Sequence, residues 1–176
     1  MRNMKLLIDS NVVLDVLLNR TQFYEDSSMI MKMCETNLVE GVVSSLTIAN
    51  LVYVMRRELN AEKTAEVLNT LSLIFHIADL TAEDVKKAAE LKWDDYEDAL
   101  QAITAKRICA DYIATRNIKD FKNSETPALP PSKLLDIVTT GLIKAENGDS
   151  QPFEDAIKDI KRDIKKGQTI NDYFPA

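Results

Sequence analysis

Between residues 4 and 138 short apolar runs alternate with longer stretches of helical periodicity, and that alternation restricts the chain to an α/β fold on a mainly parallel sheet. The first run, Lys5 to Asp9 (KLLID), has the shape of a buried parallel strand with a carboxylate at its C-terminal end. Ser10 or Asn11 can cap the helix that follows, which carries Val12, Val13, Val16 and Leu17 at helical spacing. A second helix is expected over Tyr24 to Asn37, with Met29, Ile30, Met33 and Cys34 inward, and a second strand over Gly41 to Ser44. Helices over Leu46 to Leu59 and Ala61 to Leu71 precede a third strand at Leu73 to Ala78. Thr81 with Asp84 makes a capping-box start for a helix running to Leu91. Glu125 to Leu129 reads as an edge strand, where Pro127 is tolerated, and Pro131 opens a helix through Val138.

The stretch Asp94 to Phe121 (DDYEDALQAITAKRICADYIATRNIKDF) concentrates the chemistry. Asp95 and Asp98 are three apart, so on a helix they share a face, in the first turn where the dipole favours negative charge. Ala99, Leu100, Ala102, Ile103, Ala105 and Ile108 supply the apolar flank that packs on a sheet. Asp111 to Thr115 then fits a short strand, and Arg116 to Asp120 the loop leaving its carboxyl end, where open α/β sheets bind ligands. The plain structural account of the two aspartates is capping and solvation. Asn50 lies beside the apolar stripe Ile48, Leu51, Val52 and Met55, either satisfied in the core or facing a cleft.

Composition narrows the function classes. With 176 residues the chain suits one domain with a sizeable core, and its net charge of −6 argues against broad, nonspecific nucleic-acid binding. A site can still hold local positive charge: Arg116, Lys119 and Lys122 fall in or beside the 116–120 loop, and Arg56 and Arg57 close another helix. Only four glycines are present and none forms a phosphate-binding loop. Leu6 to Ile8 is too short for a signal peptide, and no apolar run approaches the ~20 residues of a membrane span. Cys34 and Cys109 show no metal-type spacing and read as reduced core residues, which points to the cytoplasm. His76, alone inside a strand, reads as structural. Residues 139–176 form a separate unit, with a polar linker over Gly141 to Ser150 and then a helix. Its narrow stripe of Phe153, Ile157, Ile160 and Ile164 demands burial against its own domain or a second copy.

Three segments, LLIDSNVVLDVLLNR at 6–20, SSLTIANLVYVMRR at 44–57 and the 94–121 stretch, together resemble the PIN-domain family over residues 4–138. The resemblance implies a three-layer fold, a parallel sheet between helices, and a Mg2+- or Mn2+-dependent ribonuclease, often the toxin half of a bacterial toxin–antitoxin pair. It also implies an RNA substrate, an antitoxin partner and a possible homodimer. Carried over, Asp9 and Asp98 match the family's first and third acids, with Asp95 an added carboxylate and Thr115 a supporting residue. Asn50 stands where many members have glutamate and Asn117 where many have aspartate, while Asp120 can supply charge from the same loop. Arg116 and Lys119 are the candidate phosphate contacts. Two rivals stand beside this reading: a catalytically weakened PIN-fold RNA-binding or interaction protein, and a phosphotransfer or phosphatase domain using Asp9 as nucleophile. The latter's usual form needs a second acid at position 11, where Asn11 stands.

Overall fold

The computed structural model describes residues 3–57 and 59–145, with side chains as far as residue 141. Over that range the chain runs β1 (Lys5–Ile8), α1 (Ser10–Leu17), α2 (Tyr24–Glu35), β2 (Glu40–Ser44), α3 (Ser45–Met55) and α4 (Ala61–Ile74). It continues through β3 (His76–Ala78), α5 (Ala82–Leu91), α6 (Tyr96–Arg107), β4 (Tyr112–Ala114), β5 (Ala128–Leu129) and α7 (Pro131–Ala145). All strand pairs are parallel, in the order β3-β2-β1-β4-β5.

β1 sits at the centre, with Leu6 opposite both Gly41 and Tyr112. Its residues sort by the two-residue period of a strand. Leu6 and Ile8 join a core with Val12 of α1, Ile30 of α2, Leu51 of α3, Leu71 of α4 and Leu134 of α7. Leu7 faces the other way, onto Ala102 and Ala105 of α6 together with Val42, Ile113 and Phe121. Helices therefore cover both faces of the sheet, and α5 joins the second layer through Ala88 against Ala99 and Leu100. Leu6, Leu7 and Ile8 are each 0% exposed, worth about 1.5–3 kcal/mol apiece. Gly41 permits the close approach of β2 to α2, because a Cβ there would lie 2.5 Å from the Cys34 sulfur and 2.8 Å from the Phe75 ring.

Element boundaries differ from the sequence reading in definable ways. α4 runs on to Ile74, so the expected strand from Leu73 shortens to His76–Ala78; Ile74 is buried as part of the helix while Leu73 is exposed. α2 stops at Glu35, two residues before Asn37, which takes a left-handed φ of 57°. Neither Ser10 nor Asn11 caps α1; Asp9 occupies the N-cap position, and its side chain makes no capping bond. Cys109 lies past α6, exposed and left-handed at φ 54°, so it is no core residue, whereas Cys34 is buried as expected. The helix expected to end at Val138 continues to Ala145, across Gly141. Phe153, Ile157, Ile160 and Ile164 lie outside the described residues. Among the described residues no helix is long and apolar enough to cross a membrane.

From β1 the chain builds the sheet in one direction through β2 and β3, then places β4 and β5 on the other side. The order therefore reverses at β1 and β4, and the carboxyl ends of strands at such a switch point are where open α/β sheets bind ligands.

Candidate metal centre at the carboxyl ends of β1 and β4

Two site residues are continuations of the central strands. Asp9 follows β1 and donates its backbone N–H to Ala114 O at 3.0 Å, and Thr115 follows β4 and donates its own to Leu129 O at 3.0 Å. Asp9 is 6% exposed, and its Oδ2 accepts from Thr115 Oγ at 2.7 Å and from Asn11 Nδ2 at 2.6 Å. Its Oδ1 takes the longer contact from Ser10 Oγ, at 3.2 Å, and the backbone N–H groups of Ser10 and Asn11 also stabilise the carboxylate. Burial raises the Asp9 pKa, opposed by the Thr115 and Ser10 hydroxyls. Asn11 also donates to Thr115 Oγ at 3.0 Å and accepts from the Arg116 backbone N–H at 3.2 Å, so it clamps α1 to the loop after β4. The Asn117 backbone N–H closes the net on Thr115 Oγ at 3.0 Å.

The other acids come from the start of α6. Asp95 is the N-cap, with Oδ1 accepting from the backbone N–H of Glu97 at 2.8 Å and of Asp98 at 3.2 Å. The capping account of Asp95 thus holds alongside its charge. Asp98 is half-buried, and its carboxyl is pushed up to about 7, first by burial and then by the charges of Asp95, Asp9, Asp120 and Glu97. Asp98 thereby senses carboxylates from the end of β1, the start of α6 and the loop after β4. Glu97 is raised in the same way, by burial and by the charges of Asp9 and Asp95, and is opposed by a bond from Asn50 Nδ2 to its Oε1.

Sequence reasoning missed Glu97. Adjacent helical residues diverge by about 100°, so a search for partners of Asp98 on the same face passes over position 97. The signal that could have found it is Asn50, an amide at an acid's place that needs something to hold. Asp15 was missed as well. It is 0% exposed on α1, with Oδ2 at 2.9 Å from Arg116 Nε and Oδ1 at 3.4 Å from Arg20 Nη1, and it accepts from Ser27 Oγ at 3.2 Å. The Arg116 guanidinium also stacks over the Phe23 ring at 4.1 Å. Arg116, read from sequence as a phosphate contact, is thus committed to a buried carboxylate and an aromatic face. Lys119 is exposed in the loop and makes no ion pair among the described residues.

Among the described residues no three carboxylates already stand grouped at ligand spacing. The donor chemistry nonetheless fits a hard divalent cation: the set is all oxygen, and burial together with neighbouring negative charge raises Asp98 and Glu97. Asp9 and Asp98 could hold such an ion, with Asp95 and Asp120 adding negative field.

A comparison with family models matches residues 5–119 to the PIN domain. Curated protein sequences give no match. Among solved structures, the chain is similar to VapBC2 from Rickettsia felis bound to a DNA fragment from their promoter, at 20% identity and a TM-score of 0.57 over 72% of this chain and 97% of that one. It is also similar to FitAcB from Neisseria gonorrhoeae, at 22% identity and a TM-score of 0.56 over 72% and 98%. VapBC-1 from nontypeable Haemophilus influenzae gives 16% identity and a TM-score of 0.57 over 73% and 99%. At these identities the likeness is one of fold.

Proposed function

Because this chain belongs to the PIN-domain family, its match running over residues 5–119, we propose that it is a Mg2+- or Mn2+-dependent endoribonuclease of the toxin type that cleaves single-stranded RNA. The observation that supports this reading is the placement of Asp9 at the end of β1, on the switch point of the sheet, and of Asp95 and Asp98 at the start of α6, where burial and neighbouring acids raise Asp98. Carboxylates crowded to that degree are matched to a cation that replaces their protons.

When bound there, a divalent ion would supply an activated water, a polarised phosphodiester and a steadied leaving oxygen. The chain's own residues do the positioning. Thr115 and Asn11 hold Asp9 by Oδ2, so Oδ1, which carries the longer Ser10 contact, is the oxygen that would meet the cation. Asp98, raised by burial and by its neighbours' charges, must give up its proton to serve as a second ligand. Lys119, at the rim of the 116–120 loop, would meet a substrate phosphate, while Arg116 keeps that loop in place through Asp15. A single strand or loop of RNA suits an open crevice that must admit the backbone.

An antitoxin partner belongs to the same proposal, supported by fold neighbours that include an assembly bound to promoter DNA, and a homodimer is proposed with it. Cytoplasmic residence is supported by two free cysteines. The division into a catalytic unit over residues 4–138 and a separate tail over 139–176 rests on the change of sequence pattern alone, and because α7 continues to Ala145 across the expected linker start at Gly141, the catalytic unit is extended to Ala145.

Asn50 and Asn117, both amides where acids are common in the family, favour a second reading, a weakened enzyme acting by RNA binding. Incubation of the purified protein with single-stranded RNA and Mn2+ separates the two. Cleavage lost on chelation and on Asp98→Asn supports the nuclease; tight RNA binding without cleavage supports the alternative. The phosphotransfer rival has no observation behind it, since the Asn11 amide occupies the place of its second acid and is spent on Asp9.

A further inference from the structure

Asn50 and Glu97 face each other across the junction of α3 and α6, the Asn50 amide donating to Glu97 Oε1. The contact is one rung of a ladder. One turn deeper, Gln101 Nε2 donates to Thr47 Oγ at 2.7 Å, both residues fully buried. Thr47 in turn sits 3.1 Å from Ser44 Oγ, the hydroxyl that caps α3 and ends β2. Thr47 to Asn50 is one turn of α3, and Gln101 back to Glu97 is one turn of α6, so the buried rung sets the register of the outer one. The outer rung lies in the first turn of α6 beside Asp98, with the Glu97 backbone N–H held on Asp95 Oδ1 at 2.8 Å.

We propose that Glu97 supplies, from α6, the cation-binding carboxylate that α3 lacks at Asn50, and that Asn50 is the positioning residue that aims it. Asn50 engages Oε1, leaving Oε2 for the cation, and an amide is the group for this task because it donates without adding charge. The proposal rests on the metal-dependent nuclease reading above, and it raises the acids around the ion from Asp9, Asp95 and Asp98 to a set that includes Glu97.

Calorimetric titration of the RNA-free protein with Mn2+ tests it, alongside cleavage of single-stranded RNA. Glu97→Gln keeps the Asn50 contact, since an amide oxygen can still accept, and should weaken Mn2+ binding by about tenfold or more as a charged ligand is lost. Asn50→Ala leaves the carboxylate unaimed and should weaken Mn2+ by about tenfold, in line with other groups that orient ligands. The exchanged protein, Asn50→Glu with Glu97→Gln, should bind Mn2+ within a few-fold of wild type and recover cleavage. Wild-type affinity in Glu97→Gln, in a protein that binds Mn2+ and cuts RNA, overturns this proposal alone. An exchanged protein that folds, by circular dichroism, but binds no better than Glu97→Gln overturns it too. A wild-type protein that neither binds Mn2+ nor cleaves RNA overturns both this proposal and the nuclease reading.

Discussion

Asp98 ties the stability of the metal-free protein to pH in a definite direction. Its folded pKa of about 7 lies above the ordinary 3.8. The stabilisation it brings is therefore complete below about pH 4 and is lost as pH rises through about 7. Asp9 and Glu97 are raised as well and act in the same sense. We expect the melting temperature of the metal-free protein to fall between pH 5 and pH 8, and Asp98→Asn to flatten that slope. An unchanged slope in the variant would remove Asp98 from the titrating set. With Mn2+ present the trend should shrink or reverse, because the ion takes the place of the proton. Asp15 is the other residue with a large expected effect, because its carboxylate is wholly buried between Arg116, Arg20 and Ser27. Asp15→Ala strands two cations, but their side chains are 25% and 38% exposed and can reach water. We therefore expect a loss of about 2–4 kcal/mol in denaturant unfolding, at or below the range for breaking fully buried pairs. At this scale the sequence made the placement of Asp9, Asp98 and Thr115 legible, since each sits at a strand end or helix start. Glu97 and Asp15 were not legible, because their partners lie on other elements and no local spacing encodes them.

Elements were legible wherever a period ran long enough, and less so at their ends. The 3.6-residue pattern placed each helix of the described residues, but it could not tell Leu73 and Ile74 from the strand after them, because apolar residues serve both. Tertiary packing decided it: Ile74 turns into the core beside Leu71 and Val67. Glycine shows the same limit, since Gly41 and Gly141 carry opposite constraints that only the fold reveals. At Gly141 in α7 an added Cβ meets nothing within 4 Å, so Gly141→Ala should raise stability by about 0.5–1 kcal/mol through helix propensity. At Gly41 the same change drives a methyl into the Cys34 side chain and the Phe75 ring, and should cost about 1–3 kcal/mol or more. Thermal unfolding of the two variants should move in opposite directions. A neutral Gly41→Ala would mean that β2 and α2 can part without cost.

On the scale of the whole molecule, the distribution of charge governs how RNA is held. A chain of net charge −6 repels a polyanion at long range, and the site itself adds acids to that field. Capture must then come from a few local cations and from the bound divalent ion, in place of a basic surface. Of the loop cations, Arg116 is already paired with Asp15, which leaves Lys119 and Lys122 near the crevice. Two phosphate contacts would give a slope of log K against log salt of about −1.4, at about −0.7 per contact for a single strand. We expect a slope of that size when binding is measured at fixed Mn2+ with a variant that does not cut, such as Asp98→Asn. Lys119→Ala should make it shallower by about 0.7 while weakening all RNA sequences alike, as the loss of one phosphate contact does. A slope steeper than about −4 would instead require an extended basic track of six or so contacts, and would place RNA on a surface other than the one that Asp9, Asp98 and Lys119 define.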